Sequence, residues 1–364
     1  MEQPLLSWTE AGLYCEAGGF HIDPHRPVAK AVITHAHSDH ARRGSQCYWC
    51  TETSLPLLRV RLGQNIQVEG VPYRKTIRFG SVKVSFHSAG HILGSAQIRL
   101  EHLGQVWVAS GDYKREPDPS CEPFELVACD VFVSEATFGT PRFIWEKTSN
   151  HGQALESWWR KNKNAGFNSV IYGYSLGKTQ RILAELMRFE VSPIWIHESM
   201  AALTACYRTA GRQLAPTRVL PRTGTPKIFL TGGELVLAPP SAKKQEWFLA
   251  SNNFQTAFAS GWMLGQQSGN SYRGGAGFDQ GFVLSDHADW TDLNRTILET
   301  GASRVFLMQR NKGVLVRHLK TLGIEAHPVT ALSPEIYSQL PQKNLELFSW
   351  PLPLAQKLSS KGTS

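Results

Sequence analysis

The sequence predicts an α/β protein made of two parts with different textures. Up to about residue 140, short runs rich in β-branched residues are bounded by Gly, Asp and Pro, as is typical of strands and turns. From about residue 150, helical periods alternate with short apolar strands, a pattern that favours a parallel sheet covered by helices. Because 364 residues exceed the usual size of one domain, we expect two domains or one domain with a large insertion.

The strands of the first part follow one another with short connections. They are predicted at residues 28–34, 81–89, 95–101, 105–112 and 130–137. One helix is expected to begin at residues 39–42, and another lies around residues 53–62. Several polar side chains stand where these strands end, which is where binding and catalytic residues are commonly found.

The second part alternates helices with strands and then returns to the texture of the first. Helices are predicted within 152–166, 177–189 and 199–214, and strands at 168–174 and 192–198. Residues 222–280 are rich in Gly, Ser and Pro, with strand fragments at 227–232 and 234–239. A strand, a polar turn and a helix follow within 281–301, and the last elements are a strand at 304–310 and a helix and strand within 318–329.

Composition limits the class of protein. Hydrophobic residues make up 41% of the chain and no run of about 18 apolar residues occurs, so we expect a globular chain without a membrane span. Six cysteines are scattered along a chain whose start does not read as a signal peptide, which favours reduced thiols and a cytoplasmic location. The net charge of +8 suits a protein that meets phosphate backbones, but a solvated basic surface explains it equally well.

Four metal-ligand side chains fall within six residues of the stretch AVITHAHSDH. His35 and His37 alternate along an extended segment, so both side chains can face one point. Asp39 and His40 lie just beyond and face a second point. Imidazole ligands with few carboxylates suit Zn²⁺ or a similar first-row ion. Because further ligands follow downstream, the cluster favours two metal ions, which together can clamp both oxygens of a displacement reaction.

Three further candidates stand at strand ends elsewhere in the first part. His91 lies in the glycine-rich turn HSAGHILGSA, where the backbone can approach a metal closely. Asp112 ends an apolar strand in VASGDYK, where its carboxylate could bridge two ions, and Asp23 ends an early strand in FHIDPHRP. Any one of them would usually be a turn residue or a satisfied core group. Together with the histidine cluster they form one constellation.

The motifs THAHSDH, AGHILGSA and SGDY resemble those of the metallo-β-lactamase superfamily. The resemblance implies an αββα sandwich with two divalent metal ions, zinc being favoured and manganese the alternative. It assigns one metal to His35, His37, His91 and Asp112, and the second to Asp39, His40 and the bridging Asp112. Asp23 corresponds to an early aspartate that orients the ligand loop.

Two later motifs resemble signatures of the β-CASP branch, whose members act on nucleic acids. VFVSEATFG carries Glu135 after a strand, and FVLSDHADW carries His287 in a strand–turn–helix. The resemblance implies that Glu135 and His287 pair beside the metals, where His287 protonates the leaving oxygen. Asp39 and Asp112 share in catalysis. An α/β cap is then inserted into the metallo-β-lactamase domain, with expected boundaries of 1–145 and 276–350 for that domain, 146–275 for the cap and 351–364 for a tail.

The stretches GGFHIDPHRPV, YSLGKTQRIL, ASGWM and GFVLSDHADW resemble the bacterial DNA-ligase-associated exonucleases of this branch. That resemblance implies a metal-dependent hydrolase, an exonuclease that prefers single-stranded DNA and acts in DNA repair, with a DNA ligase and a helicase as partners. Two alternatives stay open. One is a ribonuclease that processes RNA 3′ ends, because no motif reports on the 2′-hydroxyl. The other is a nucleic-acid-binding repair scaffold without catalysis.

One position departs from the branch. Its members commonly carry a ligating His-Gly after the strand that here reads VFLMQRN, so Gln309 stands where the histidine is expected. Glutamine is a poor ligand for transition metals, which predicts weak binding of the second ion. A shift of His287 towards that ion is one hypothesis for a replacement ligand.

The segment YGYSLGKTQ looks like a phosphate-binding P-loop, but its spacing fails because Gly173 is one residue too close to Gly177. A helix N-terminus at residues 177–179 is expected instead. Lys178 and Arg181 are then candidates for contact with nucleic-acid phosphate, because helix N-termini favour anions.

Overall fold

The computed structural model describes residues 4–147, 150–189, 191–220, 232–244, 253–264, 277–309 and 312–340. Within these ranges the chain is a mixed α/β protein with one seven-stranded and two six-stranded sheets. None of the helices in the described ranges is long and apolar enough to span a membrane. The tail expected at 351–364 and most of the strand predicted at 227–232 lie outside the described residues.

The first sheet is built from six short strands in sequence order. They are β1 (Ser7–Thr9), β2 (Gly12–Cys15), β3 (Phe20–Ile22), β4 (Lys30–Val32), β5 (Cys47–Thr51) and β6 (Val68–Val71). Helix α1 (Leu55–Leu62) connects the last two, which confirms the helix expected around residues 53–62. Because β4 ends shortly before His35, the histidine cluster begins at the edge of this sheet.

The second sheet combines strands from both halves of the chain. In spatial order it runs β19 (Glu325–Pro328), β18 (Arg304–Leu307), β11 (Val131–Ser134), β10 (Gln105–Ala109), β9 (Ala96–His102), β8 (Val82–Ser88) and β7 (Ile77–Phe79). The pairs β10–β11, β11–β18 and β18–β19 are parallel, and β11–β18 pairs Val131 with Arg304. Adjacent parallel strands end at one edge of a sheet, so Asp112, Glu135 and Gln309, which follow β10, β11 and β18, meet there.

The part of the chain between β11 and β18 forms a third sheet of its own, whose described strand pairs are parallel. In spatial order it runs β14 (Thr217–Val219), β13 (Ile194–Ile196), β15 (Leu235–Ala238), β12 (Asn168–Tyr172), β16 (Phe254–Ala259) and β17 (Gln280–Phe282). Helices α2 (His151–Asn164), α3 (Lys178–Leu186) and α4 (Glu198–Thr209) belong to the same part. Strand β17 belongs to this sheet although it lies beyond residue 275, where the cap was expected to end.

Hydrophobic cores join these elements. The first two sheets share one core, which includes Phe20, Val32, Phe86 and Val133. A second core covers the other side of the second sheet and includes residues of α5 (Trp290–Glu299) and α6 (Lys312–Thr321), while α7 (Pro334–Tyr337) follows β19. A third core joins the first sheet and α1 to the inserted part. Burial of apolar surface stabilises a contact by about 25 cal/mol per Å². The apolar residues buried in this third core therefore stabilise the packing of the inserted part against the first sheet.

The prediction that a helix begins at residues 39–42 is wrong, because that segment forms a turn. The backbone N–H groups of His40 and Ala41 both bond to His37 O, at 3.2 and 2.8 Å. The His40 ring is tied back to Asp23, with 2.7 Å between Nδ1 and Oδ2. The side-chain contacts of the cluster therefore decide the backbone here, rather than local helix propensity.

Candidate active site

Three histidines and one aspartate converge where the first two sheets meet. His35 and His37 lie in the loop after β4, His91 lies between β8 and β9, and Asp112 follows β10. One ligand atom from each lies within 4.8 Å of the others. His37 Nδ1 is 3.1 Å from His35 Nε2 and 3.0 Å from His91 Nε2, and Asp112 Oδ2 is 3.6 Å from His35 Nε2. Ligands of a tetrahedral zinc ion lie roughly 3.4 Å apart, so the spacing suits one ion.

The charge states of these four side chains also suit a metal. Burial lowers the pKa of His35 and of His91 well below the ordinary value for histidine, and it lowers the pKa of His37 as well. Burial alone would raise the pKa of Asp112, yet the neighbouring His40 holds it well below its ordinary value. Neutral ring nitrogens with one carboxylate are a donor set that zinc and similar ions accept. The four residues therefore fit a divalent first-row ion.

Asp23 lies behind the ligand loop and ties it together. Its Oδ1 accepts a hydrogen bond from Thr34 N at 2.8 Å, and its Oδ2 accepts from Thr34 Oγ1 at 2.5 Å. The same Oδ2 contacts His40 Nδ1, and Thr34 Oγ1 lies 3.0 Å from His35 Nδ1. Asp23 thus reaches two histidines of the cluster through hydrogen bonds, directly and through Thr34.

Asp39 and His40 lie beside the four-residue group but are arranged differently. The Asp39 side chain is 72% exposed, and its Oδ2 lies 3.8 Å from His40 Nε2. His40 bridges Asp23 and Asp112, with Nε2 3.3 Å from Asp112 Oδ2. Burial alone would lower the pKa of His40, but these two carboxylates raise it well above its ordinary value. In the described part of the chain, Asp39 and His40 do not join Asp112 in a group as tight as the first.

Gln309 lies on another side of Asp112, after β18. Its Oε1 accepts from Ala136 N at 2.9 Å and from Thr137 Oγ1 at 2.8 Å. A backbone N–H can act only as a donor, so the amide is oriented with its oxygen towards Ala136. Its Nε2 therefore donates to Asp112 Oδ1, at 2.9 Å. Gln309 therefore presents a hydrogen-bond donor to this carboxylate, at the position where the resemblance to the β-CASP branch predicted a metal-ligating histidine.

Glu135 and His287 form a pair beside Asp112. Glu135 Oε2 lies 3.1 Å from His287 Nδ1, and its Oε1 accepts from Tyr113 N at 2.6 Å. Burial opposes the charged form of His287, but Glu135 and Asp112 raise its pKa to about 9. These two carboxylates therefore favour the protonated imidazolium, in which Nδ1 faces Glu135 and Nε2 can carry a transferable proton.

Asp112, Glu135 and His287 also form a second group whose ligand atoms lie within 4.8 Å of one another. The distance from His287 Nδ1 to Asp112 Oδ2 is 3.9 Å. The hypothesis that His287 serves a second ion therefore keeps a geometric basis. The same nitrogen already contacts Glu135, however, so an ion there would replace that hydrogen bond.

Lys178 and Arg181 do not face solvent. They are 2% and 1% exposed. Lys178 Nζ lies 2.8 Å from Asp286 Oδ1, and Arg181 lies 3.5 Å from carboxylates of both Asp118 and Glu116. The expectation that these two side chains contact nucleic-acid phosphate is therefore wrong, because internal carboxylates already neutralise their charges. The helix itself begins at Lys178 as predicted.

A cleft of about 600 Å³ opens beside the site, between the first sheet's loops and the inserted part. From the site it is lined by His37, Asp39, Asp112, His287 and Gln309, and from the inserted part by Tyr174, Ser175, Leu176 and Trp262. Its volume lies in the range of small-molecule sites. The cleft is therefore lined by both parts of the chain.

Sequence reasoning missed three groups that hold the site side chains. Tyr113 N donates to Glu135, Leu176 O lies 3.1 Å from His37 Nε2, and Asp286 O lies 2.6 Å from His91 Nδ1. All three are backbone atoms, which have no side-chain signature in a sequence. The position of Asp286 within SDHADW, next to His287, was the one available hint.

Comparison with known proteins finds relatives named as nucleic-acid enzymes. The chain is 29% identical to a probable DNA ligase of Opitutus terrae over 318 residues, which are 86% of this chain and 30% of the relative. It is 29% identical to the endoribonuclease YSH1 of Eremothecium gossypii over 119 residues, which are 32% of this chain and 15% of the relative. It is 26% identical to a ribonuclease of Thermus thermophilus over 219 residues, which are 50% of this chain and 49% of the relative.

These similarities agree with the assembled His, Asp and Glu motifs. The chain resembles the β-CASP branch of the metallo-β-lactamase superfamily, in its motifs and in the relatives that it matches. It spans less than half the length of each of the three relatives. No protein-family model matches it. Its fold is similar to that of a solved protein of unknown function from Enterococcus faecalis, with a TM-score of 0.53 and 13% identity over 78% of this chain and 76% of that one.

Proposed function

We propose that this protein is a metal-dependent phosphodiesterase, an exonuclease that prefers single-stranded DNA and acts in DNA repair. One observation carries the proposal. The four-residue metal group and the Glu135–His287 pair meet at a single carboxylate, Asp112, in the wall of a cleft. Hydrolysis of a phosphodiester needs charge stabilisation at phosphorus and a proton for the leaving oxygen, and this arrangement offers both within one site.

A divalent ion held by His35, His37, His91 and Asp112, zinc or alternatively manganese, would polarise a phosphoryl oxygen and lower the pKa of a water molecule. The side chains do the remaining work. His287 gives its Nε2 proton to the leaving oxygen, which would otherwise depart as a costly alkoxide. Glu135 accepts a hydrogen bond from Nδ1–H of His287 and so stabilises the imidazolium before the Nε2 proton is transferred. Asp39 lines the cleft and remains a candidate ligand, with His40 and Asp112, of a weaker second ion.

The domain organisation that we propose follows the superfamily. The two sheets with a common core, covered by helices on their outer faces, would form the αββα sandwich. The third sheet with α2, α3 and α4 would be the β-CASP cap, inserted after residue 145 and ending beyond β17. Substrate would then lie between the two, in the cleft that both line.

The choice of DNA as substrate draws support from the longest of the three matches. The Opitutus relative is named as a probable DNA ligase, and its match covers 86% of this chain. A nuclease that trims ends is chemically suited to work beside a ligase, which we propose as a partner. A helicase partner and a cytoplasmic location rest on the sequence alone. The relatives named as ribonucleases support RNA as the alternative substrate.

The test is cleavage of one sequence presented both as single-stranded DNA and as RNA. The purified protein is incubated with each strand, labelled at the 5′ or the 3′ end, with added Mn²⁺ or Zn²⁺ or with a chelator. We expect stepwise, metal-dependent shortening of the DNA, and the label that survives gives the direction. Preferential cleavage of RNA would favour the ribonuclease. Binding of either strand without cleavage under any metal would favour the scaffold.

Gln309 is expected to limit the protein to one tightly held ion. Its amide occupies Asp112 Oδ1, the oxygen that would otherwise help to bridge a second ion. In Gln309→His a ring nitrogen would replace this donor, and we expect the ions retained after dialysis to rise from one to two per chain. Histidine tolerates a positive φ better than most residues, which suits the φ of +67° at this position.

Metal content per chain is measured by atomic emission after dialysis against a weak chelator. Gln309→Asn is the matched control, because it also tolerates positive φ but adds no transition-metal ligand. It should retain one ion. Two equally tight ions in the unaltered protein would show that the hydrogen bond from Gln309 does not restrict the site.

A further inference from the structure

Two histidines of the metal group are hydrogen-bonded on their outer nitrogens to carbonyls that lie far along the chain. His37 Nε2 is 3.1 Å from Leu176 O, and His91 Nδ1 is 2.6 Å from Asp286 O. A carbonyl oxygen can only accept, so each outer nitrogen carries the proton. His37 Nδ1 and His91 Nε2 are thereby left with lone pairs, and they lie 3.0 Å apart inside the ligand group. The tautomers of both rings are therefore set from outside the first two sheets.

A buried ion network holds the two carbonyls in place through helix α3. Lys178 lies two residues after Leu176, and its Nζ is 2.8 Å from Asp286 Oδ1. Arg181 donates to Ser285 O, which is next to Asp286. The side chains of Lys178, Arg181 and Asp286 are 3%, 1% and 6% exposed, so none can leave its partners without stranding a buried charge. These buried contacts therefore tie the loop before α3 and the segment at Asp286 together as one unit.

Gly177 lets this unit lie against the ligand residues. Its φ is +88°, and a Cβ placed there would lie 2.5 Å from Ile92 Cγ2 and 3.6 Å from His37 Nε2. Ile92 directly follows His91 and is buried, so it has little room to yield. Any side chain at position 177 would push the loop away from both histidines.

We propose that residues 174–178 and Asp286 form an outer shell of the metal site, so that metal affinity and the seating of the inserted part depend on each other. The inference rests on the metal site proposed above and is independent of the substrate. When the loop is displaced, His37 and His91 lose their fixed tautomers, and a bound ion loses two oriented ligands. Loss of such outer partners weakens metal binding roughly 10–100-fold.

Gly177→Ala tests this coupling, with Gly211→Ala as the matched control. Gly211 belongs to the same part of the chain and has a similar φ of +80°, but a Cβ there meets nothing within 4 Å. Both substitutions impose the same kind of backbone strain. A difference between them therefore reports the contact with Ile92 and His37.

The dissociation constant for Zn²⁺ is measured for each full-length variant by competition with a chromogenic chelator, and the absorption spectrum of the Co²⁺ form reports ligand geometry. We expect Gly177→Ala to bind Zn²⁺ roughly 10–100-fold more weakly than the parent, with an altered Co²⁺ spectrum. Gly211→Ala should match the parent in both. Equal affinities and spectra for two folded variants would overturn the proposal.

A second measurement needs no variant. Coupling free energies are reciprocal, so a bound metal must slow amide hydrogen exchange in residues 174–183 as well as in residues 35–40. Exchange in the unaltered protein is compared with Zn²⁺ and with chelator. Protection of both segments supports the coupling, and protection confined to residues 35–40 overturns it. Neither measurement involves cleavage. If the protein shows this protection but cuts no nucleic acid, the proposed nuclease function is refuted and the proposed outer shell of the metal site still stands.

Discussion

Replacing Asp112 with asparagine is expected to remove metal binding at the four-residue group and hydrolysis together. The asparagine keeps the shape of the side chain and can still accept the hydrogen bond from Gln309. It loses the negative charge that faces His35, His40 and His91 at 3.3 to 3.8 Å. Since loss of an outer-shell partner already weakens metal binding roughly 10–100-fold, loss of the carboxylate ligand should cost more than about a hundredfold.

Metal content and the shortening of end-labelled single-stranded DNA are measured on the same preparation of Asp112→Asn. Asp130→Asn is the matched control, because Asp130 stands just before β11 in the same sheet and its Oδ2 accepts only a structural hydrogen bond from Val106 N, at 2.7 Å. It should keep both the metal and the activity. An Asp112→Asn protein that retains its metal and a tenth of its activity would disprove the assignment of Asp112 as a ligand.

His287→Asn is expected to slow the cleavage of nucleic acid by about 10²–10⁴-fold while the bound metal is retained, as is usual for loss of a general acid. The reason lies in the leaving group. A sugar alkoxide needs the proton of His287, whereas a nitrophenolate leaves without one. Hydrolysis of an aryl phosphodiester should therefore survive in this variant, although it should be lost in Asp112→Asn.

Glu135→Gln should also slow the cleavage of nucleic acid, but less than His287→Asn does. The neutral amide of the variant cannot stabilise the imidazolium of His287 as the carboxylate of Glu135 does. The double variant should lose little more than His287→Asn alone, since residues that act as one unit give non-additive effects. Rates on DNA and on the aryl ester are compared for the two single variants and the double variant. Equal slowing of both substrates by His287→Asn would show that His287 acts on something other than the leaving oxygen.

The sequence predicted which side chains of the site would meet, because the relevant signals are local. The alternation of His35 and His37 follows from an extended segment after β4, and His91 and Asp112 each follow a strand of the second sheet. Adjacent strands that end at one edge bring such residues together whatever lies between them in the sequence. The resemblance drawn from these motifs is confirmed by the comparisons.

What the sequence did not reveal depends on packing. Lys178 and Arg181 look like surface cations beside a helix N-terminus. Their burial among Asp118 and Asp286 appears only when the inserted part is placed against the segment that connects β10 and β11. The orientation of the Gln309 amide depends on a backbone donor from a neighbouring strand end. Strands β1 to β3 are three or four residues long, which is too short for a hydrophobic period to be recognised.

The pairing of β11 with β18 has a consequence for the synthesis of the protein. Val131 pairs with Arg304, so β11 leaves the ribosome 173 residues before its partner (304 minus 131). At about 5–20 residues per second, the wait lasts roughly 9–35 s. During that time β11, whose four residues are all buried in the finished sheet, presents an apolar edge to the cell. A substitution that delays folding of the inserted part should therefore appear first as aggregation of the nascent N-terminal part, and prompt folding of the insertion protects the rest of the chain.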